Sequence, residues 1–133
     1  MKLSVSMITF QGAAYLKAQM DSILGQSIPV HEIIVCDDGS TDETREILAS
    51  YAADHPQIQL IFNEKNLGTV ANMQQCLRHT SGDMIFLADQ DDVWLPIKVE
   101  KALAFFQEHP DADAVFSNAG IIDETGETQY GLT

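Results

Sequence analysis

Four short apolar runs, each followed by an amphipathic segment, limit the folds open to this 133-residue chain. The runs cover residues 3–8, 32–36, 58–62 and 83–88, and their nearly continuous apolar side chains are typical of buried strands. The segments between them carry apolar residues three and four positions apart, as helices do. Alternating strands and helices predict an α/β fold, with a mostly parallel sheet and helices on both faces.

Local signals predict several boundaries within this framework. Ser40 and Glu43 fit a capping box, with Ser40 as the N-cap of the second helix. Pro96 suits the first turn of the last helix. Residues 112–117 are predicted to form a fifth strand, and residues 123–126 a turn. With 45% hydrophobic residues, the chain is expected to bury one core and form one domain.

Polar side chains follow the predicted strands where each one ends. Thr9 follows the first strand, Asp37 and Asp38 the second, Asn63 the third, and residues 89–92 (Asp-Gln-Asp-Asp) the fourth. Parallel strands place their carboxyl ends at one edge of a sheet, which is where open α/β sheets bind ligands. We therefore expect these side chains to line a common crevice.

The acidic cluster at residues 89–92 has two interpretations. Its carboxylates repel one another, and a Mg²⁺ or Mn²⁺ ion that carries the oxygens of a diphosphate would offset their charge. Alternatively, the cluster is a solvated loop before a helix N-terminus, where negative charge is favourable. A calcium loop is disfavoured because Val93 and Trp94 stand where oxygen ligands belong. A phosphatase of the Asp-x-Asp-x-Thr type would need a threonine at Val93.

Asp37-Asp38-Gly39-Ser40 also has two interpretations. Asp and Gly can form a tight turn between strand and helix without any ligand. Two adjacent acids exceed what a turn requires, however, so one carboxylate is also a candidate acceptor for a nucleobase or ribose.

The charge balance excludes some partners. Twenty acidic and seven basic residues give a net charge of -13, and the basic residues form no positive stripe for nucleic acid. A phosphate-bearing ligand is expected to arrive with a metal. Cys36 and Cys76 form no CxxC pair and are expected to be reduced thiols in a cytoplasmic protein. No apolar stretch is long enough to cross a bilayer, while peripheral association with the inner face of a membrane stays open.

Taken together, the motifs resemble the family two nucleotide-sugar glycosyltransferases, which have the GT-A fold. The resemblance runs in order through Thr9, residues 22–27, residues 37–42, Asn66-Leu67-Gly68 and residues 82–96. The wording of residues 89–96 is similar to that of bacterial rhamnosyltransferase-type members.

The resemblance implies a role for each site residue. Thr9 and Asp38 would contact the nucleobase, and Asp37 would help to form that pocket. Asp89 would bind the ribose or assist the metal, and Asp91, in the DxD motif, would be the direct ligand of Mg²⁺ or Mn²⁺. The implied reaction is inverting transfer from a UDP- or dTDP-linked sugar to a glycan or lipid-linked acceptor, in polysaccharide biosynthesis.

Two departures from the family pattern leave an alternative open. Ala71 stands where related sequences often carry a basic residue, and the catalytic base belongs to a later region that Asp123 and Glu124 do not match. Residues 1–133 are therefore predicted to be the donor-binding, N-terminal part of a longer enzyme. The alternative is a non-catalytic nucleotide-sugar-binding module. A phosphoacceptor receiver domain fits poorly, because its acid pair would follow the first strand, where Thr9-Phe10-Gln11 stands.

Overall fold

The computed structural model describes residues 1–131, with side chains up to residue 128. Strands and helices alternate along the chain before a terminal hairpin. They are β1 (Leu3–Thr9), α1 (Ala13–Leu24), β2 (Glu32–Asp37), α2 (Thr44–Asp54), β3 (Ile58–Phe62), α3 (Thr69–His79), β4 (Met84–Asp89), α4 (Lys98–Glu108), β5 (Gly120–Ile122) and β6 (Thr128–Gly131). None of these helices is long and apolar enough to span a membrane.

The first four strands form one parallel sheet in the order β3-β2-β1-β4, as the alternation predicted. In this register Thr9 lies beside Asp37, and Ile8 lies beside Asp89. The carboxyl ends of β1, β2 and β4 therefore meet at one edge. The predicted α/β fold class is confirmed.

Both faces of the central strands are covered. On one face, the Ser6 hydroxyl contacts the Met73 sulfur of α3 at 3.6 Å. On the opposite face, Val5 and Met7 are completely buried, so that face is covered as well. The buried side of α1 carries Leu16, Met20 and Ile23, as its periodicity predicted.

β4 differs from the buried strand that the sequence predicted. Phe86 and Ala88 are buried, but Ile85 is 42% and Leu87 59% exposed. Among the strands of residues 1–131, β4 lies at the edge of its sheet, and α3 packs on β1 and β2 instead. One face of the apolar run therefore stays open.

Two local predictions were wrong. Ser40 does not cap α2, which begins at Thr44; the N–H of Thr44 donates instead to Asp42 Oδ1 at 3.0 Å. Residues 112–117 form no strand, because nothing in the described part of the chain pairs with them and an isolated extended segment gains no ladder hydrogen bonds. Pro96 lies in a turn just before α4.

The described residues divide into two compact units, Met1–Glu100 and Lys101–Thr133. The second contains the antiparallel hairpin of β5 and β6. Asp123 closes its turn by accepting from the N–H groups of Thr125 and Glu127, which confirms the turn predicted at residues 123–126. That residues 1–133 form one donor-binding domain stays a prediction.

A cluster around Glu32 ties the amino ends of three strands together. Glu32 accepts from the Ser4 hydroxyl at 2.6 Å and the Ser81 N–H, and lies 3.0 Å from Lys2 Nζ. Burial alone raises the pKa of this carboxyl, but hydrogen bonds from Ser4, Ser81 and Lys2 outweigh it and lower the pKa from 4.5 to about 2. Because the folded pKa is the lower one, the charged group stabilises the fold above pH 4.5.

We expect Glu32→Gln to lower the free energy of unfolding by about 1–3 kcal/mol at neutral pH. The difference from the parent chain should shrink as the pH falls from 4.5 towards 2, where the parent loses its charge. Urea denaturation at several pH values measures it, with the exposed Glu64→Gln as control. A difference that is the same at neutral and acid pH would show that the charge contributes nothing.

Candidate functional site

A crevice of about 370 Å³ lies at the carboxyl edge of the sheet. Four of the five predicted site residues line it: Thr9, Asp38, Asp89 and Asp91. The remaining lining residues are Ile8, Phe10, Thr69, Asn72 and Gln90. Asp37 is not among them. The loops after β1, β2 and β4 and the start of α3 thus contribute to one site.

Asp37 lies behind the crevice wall as a fully buried anion. Its carboxylate accepts from the Thr9 hydroxyl at 2.8 Å, from the N–H and hydroxyl of Ser40 at 2.9 and 2.5 Å, and from Arg45 Nε at 2.8 Å. Burial alone raises the pKa of Asp37, but the hydrogen bonds from Ser40, Arg45 and Thr9 lower it overall. These donors occupy the carboxylate and hold the loop after β2 against β1.

Asp38 faces the crevice and orders the loop before α3. Its carboxylate accepts from the N–H groups of Leu67 and Gly68 at 2.7 and 3.0 Å, and from Asn63 Nδ2 at 3.1 Å. Gly68 adopts a φ of 87°, which a glycine accommodates without strain. A carboxylate offers about four acceptor positions, so one stays open for a ligand.

Buried amides extend this arrangement below the crevice. Asn63 Nδ2 also donates to Asn72 Oδ1 at 2.9 Å, and Asn63 Oδ1 accepts from Gln75 at 2.9 Å. Asn72 in turn donates to the carbonyl oxygen of Cys36 at 2.9 Å. Because these groups satisfy one another, Asp38 and Asn72 are held at fixed positions in the wall.

The acidic loop presents two of its three carboxylates to the crevice. Asp89 and Asp91 are exposed there, whereas Asp92 does not line it. Partial burial, followed by the charges of Asp89 and Asp91, raises the pKa of Asp92. Nowhere in the described residues do three or more His, Cys, Asp or Glu side chains form a group that could hold a metal ion. Asp89 and Asp91 therefore offer part of a coordination sphere.

Side chains of α1 hold the backbone of this loop in place. Gln19, completely buried, donates to the Asp89 carbonyl at 2.7 Å, and Ser22 Oγ accepts from Trp94 N–H at 3.0 Å. Gln26 donates to the Leu95 carbonyl at 2.8 Å and accepts from Val99 N–H at 3.0 Å. The acidic residues thus extend from a fixed frame.

Sequence reasoning missed these polar supports. Gln19 occupies the apolar face of α1 beside Met20, and Gln90 is the uncharged residue inside an acidic cluster. A polar residue on an apolar helical face predicts a buried hydrogen bond, and this signal could have identified Gln19. No local pattern identifies its partner, because Gln19 and Asp89 are 70 residues apart.

Solved structures show the same fold. TarS of S. aureus in complex with UDP matches with a TM-score of 0.75 at 23% identity, over 92% of this chain and 42% of that one. A mannosyltransferase from Pyrobaculum calidifontis, solved with GDP-Man and Mn²⁺, matches with a TM-score of 0.72 at 24% identity, over 79% and 32%. The fold is that of the GT-A glycosyltransferases.

Sequence comparisons agree with this class. The chain is 38% identical to EpsE of Bacillus subtilis (strain 168) over 126 residues, and 33% identical to the uncharacterized glycosyltransferase MJ1057 of Methanocaldococcus jannaschii over 126 residues. Each alignment covers at least 93% of this chain but only 45% and 43% of those relatives. Residues 4–133 match the family model of glycosyl transferase family 2, and the chain belongs to that family.

The buried position of Asp37 predicts a structural effect. Asp37→Asn removes the charge that Arg45 and Ser40 compensate, and should lower the free energy of unfolding by about 2–4 kcal/mol. Chemical denaturation measures this, with the exposed Asp54→Asn of α2 as control. Equal stability of Asp37→Asn and the parent would mean that the buried charge does not hold this loop.

Proposed function

We propose that the chain is the donor-binding part of an inverting glycosyltransferase, which transfers a sugar from a UDP- or dTDP-linked donor to a hydroxyl of a glycan or lipid-linked acceptor. One observation carries the proposal. A single crevice joins an acceptor-rich end, with Thr9 and Asp38, to an acidic end, with Asp89 and Asp91. Family membership and the UDP complex of TarS support this interpretation.

The nucleoside is assigned to the end at Thr9 and Asp38. Thr9 is 2% and Asp38 4% exposed, so a polar ligand group that reaches them leaves water. The remaining acceptor position of Asp38 suits an N–H or hydroxyl donor, such as the imide of uracil or thymine. Asp37 supports this end indirectly, because it accepts from the Thr9 hydroxyl and orients it.

The diphosphate is assigned to the acidic end, where it needs a counter-ion. Three carboxylates line the crevice and no lysine or arginine does. Two phosphates would be repelled there unless a divalent cation arrived with them. The exposed oxygens of Asp91 and Asp89 suit Mg²⁺ or Mn²⁺, with diphosphate oxygens completing the coordination sphere. Thr69 adds the N-terminus of α3, whose dipole also favours an anion.

Transfer requires stabilisation of the leaving nucleoside diphosphate and a base for the acceptor hydroxyl. A bound Mg²⁺ or Mn²⁺ would supply the first as a Lewis acid. This chain's own residues bind and orient the donor: Asp38 and Thr9 fix one end, and Asp91 and Asp89 the other. No residue is assigned as the base, and Asp123 and Glu124 lie at the hairpin turn.

The alternative function is nucleotide-sugar binding without turnover. Incubation with Mn²⁺ and a panel of nucleotide sugars, with and without candidate acceptors, distinguishes the two. Acceptor-dependent release of nucleoside diphosphate supports transfer. Saturable donor binding with no release in any combination supports the binding module.

The acidic end predicts metal-dependent binding. UDP or dTDP should bind more tightly with Mn²⁺ than with chelator, and Asp91→Asn should remove most of that difference. Asp92→Asn is the matched control, because Asp92 belongs to the same loop but does not line the crevice. Isothermal titration calorimetry measures all three chains. Equal binding in Mn²⁺ and chelator by the parent would contradict the assignment of a metal site.

The nucleoside end predicts the opposite pattern. Asp38→Asn should weaken binding of free uridine or thymidine by about 1.5–3 kcal/mol while the response of UDP to Mn²⁺ persists. Because Asp38 also accepts from Leu67 and Gly68, the melting temperature is recorded alongside. Unchanged nucleoside affinity in a folded Asp38→Asn chain would assign this carboxylate to loop structure alone.

A further inference from the structure

Gln90 lies in the crevice wall between the acids at positions 89 and 91 and forms a reciprocal pair of hydrogen bonds with the backbone of Phe10. Its Oε1 accepts from Phe10 N–H at 2.9 Å, and its Nε2 donates to the Phe10 carbonyl at 2.9 Å. A primary amide presents one donor and one acceptor side by side, so it matches both backbone groups of one residue. Gln90 therefore attaches the acidic loop to the loop after β1.

The loop after β1 is attached on its other side to the loop after β2. Gln11 N–H donates to Ser40 Oγ at 2.9 Å, and Gly12 N–H donates to Thr44 Oγ1 at 2.9 Å. Gln11 has a φ of 50°, and its side-chain oxygen accepts from Thr41 N–H at 2.7 Å. Phe10 thus stands between the acidic loop and the loop that follows Asp38.

Gly12 makes the approach of Gln90 possible. A Cβ atom added at Gly12 would lie 2.1 Å from Gln90 Oε1 and 2.4 Å from its Cδ, far inside van der Waals contact. The φ of Gly12 is -104°, which any residue adopts, so the backbone does not require glycine here. What requires it is the space occupied by the Gln90 amide.

We infer that Gln90 is a positioning residue that couples the two ends of the donor site. This rests on the proposed function, in which Asp89 and Asp91 meet the metal-diphosphate and Thr9 meets the nucleoside. Asp89 and Asp91 are exposed, so the reciprocal pair with Phe10 limits how they move relative to the nucleoside end. A ligand that orders one end then reduces the ordering cost at the other.

The test uses uridine and Mn²⁺, two probes that share no phosphate and so communicate only through the protein. Electron paramagnetic resonance measures the affinity for Mn²⁺ with and without saturating uridine, and by linkage the two ligands affect each other equally. In the parent chain uridine should tighten Mn²⁺ binding several-fold. In Gln90→Met, which keeps the length but removes both hydrogen bonds, this factor should fall to about one, and UDP–Mn²⁺ should bind about tenfold more weakly.

A second variant reaches the same pair from the other side. Gly12→Ala leaves Gln90 in place but displaces its amide, and should abolish the coupling in the same way. Gln74→Met is the control, because Gln74 is an exposed residue of α3 outside the crevice, and should behave as the parent does. Thermal unfolding of each variant accompanies the titrations.

The outcomes separate this inference from the proposed function. If the parent binds UDP–Mn²⁺ but Gln90→Met keeps the affinity and the coupling, the inference is wrong and the proposed function stands. If Gln90→Met weakens uridine and Mn²⁺ equally while their coupling persists, Gln90 only packs, and the inference is again overturned. If the parent binds no UDP with Mn²⁺, both fail together.

Discussion

The buried carboxylate of Asp37 is the constraint from which the rest of the site follows. A buried anion is costly unless donors compensate it, and here the donors come from the end of β1, the loop after β2 and α2. Satisfying this charge therefore fixes three parts of the chain relative to one another. Asp38, the next residue, is thereby directed into the crevice, where it organises the loop before α3.

Side-chain amides carry out most of the remaining positioning. Asn63 and Asn72 hold the wall beside Asp38, while Gln19 and Gln90 hold the backbone on either side of the acidic carboxylates. An amide adds no charge, so it can bind backbone groups next to acids without compensating them. The acids of the crevice thus keep their negative charge, and in the proposed function that charge is available for a divalent cation.

The parts of the molecule that sequence predicted well are those encoded in short segments. The strand–helix alternation and the strand-end positions of Thr9, Asp38 and Asp89 follow from local periodicity, and the structure confirms them. The prediction for Ser40 failed because a buried acid three residues earlier competes for its hydroxyl. Residues 112–117 failed as a strand because strand formation depends on a partner, which periodicity does not supply. The clamp at Gln90 escaped for the same reason, since its partner Phe10 is 80 residues away.

The central claim is that one crevice holds a nucleoside at Thr9 and Asp38 and a metal-diphosphate at Asp91 and Asp89. A crystal structure of the chain with UDP and Mn²⁺, with manganese located by its anomalous scattering, tests it most directly. We predict uracil beside Asp38 and a manganese peak shared between the diphosphate and the Asp91 carboxylate. A manganese peak at another acidic surface, such as the groove of Glu43, Glu46 and Asp54, with UDP outside the crevice, would contradict the account.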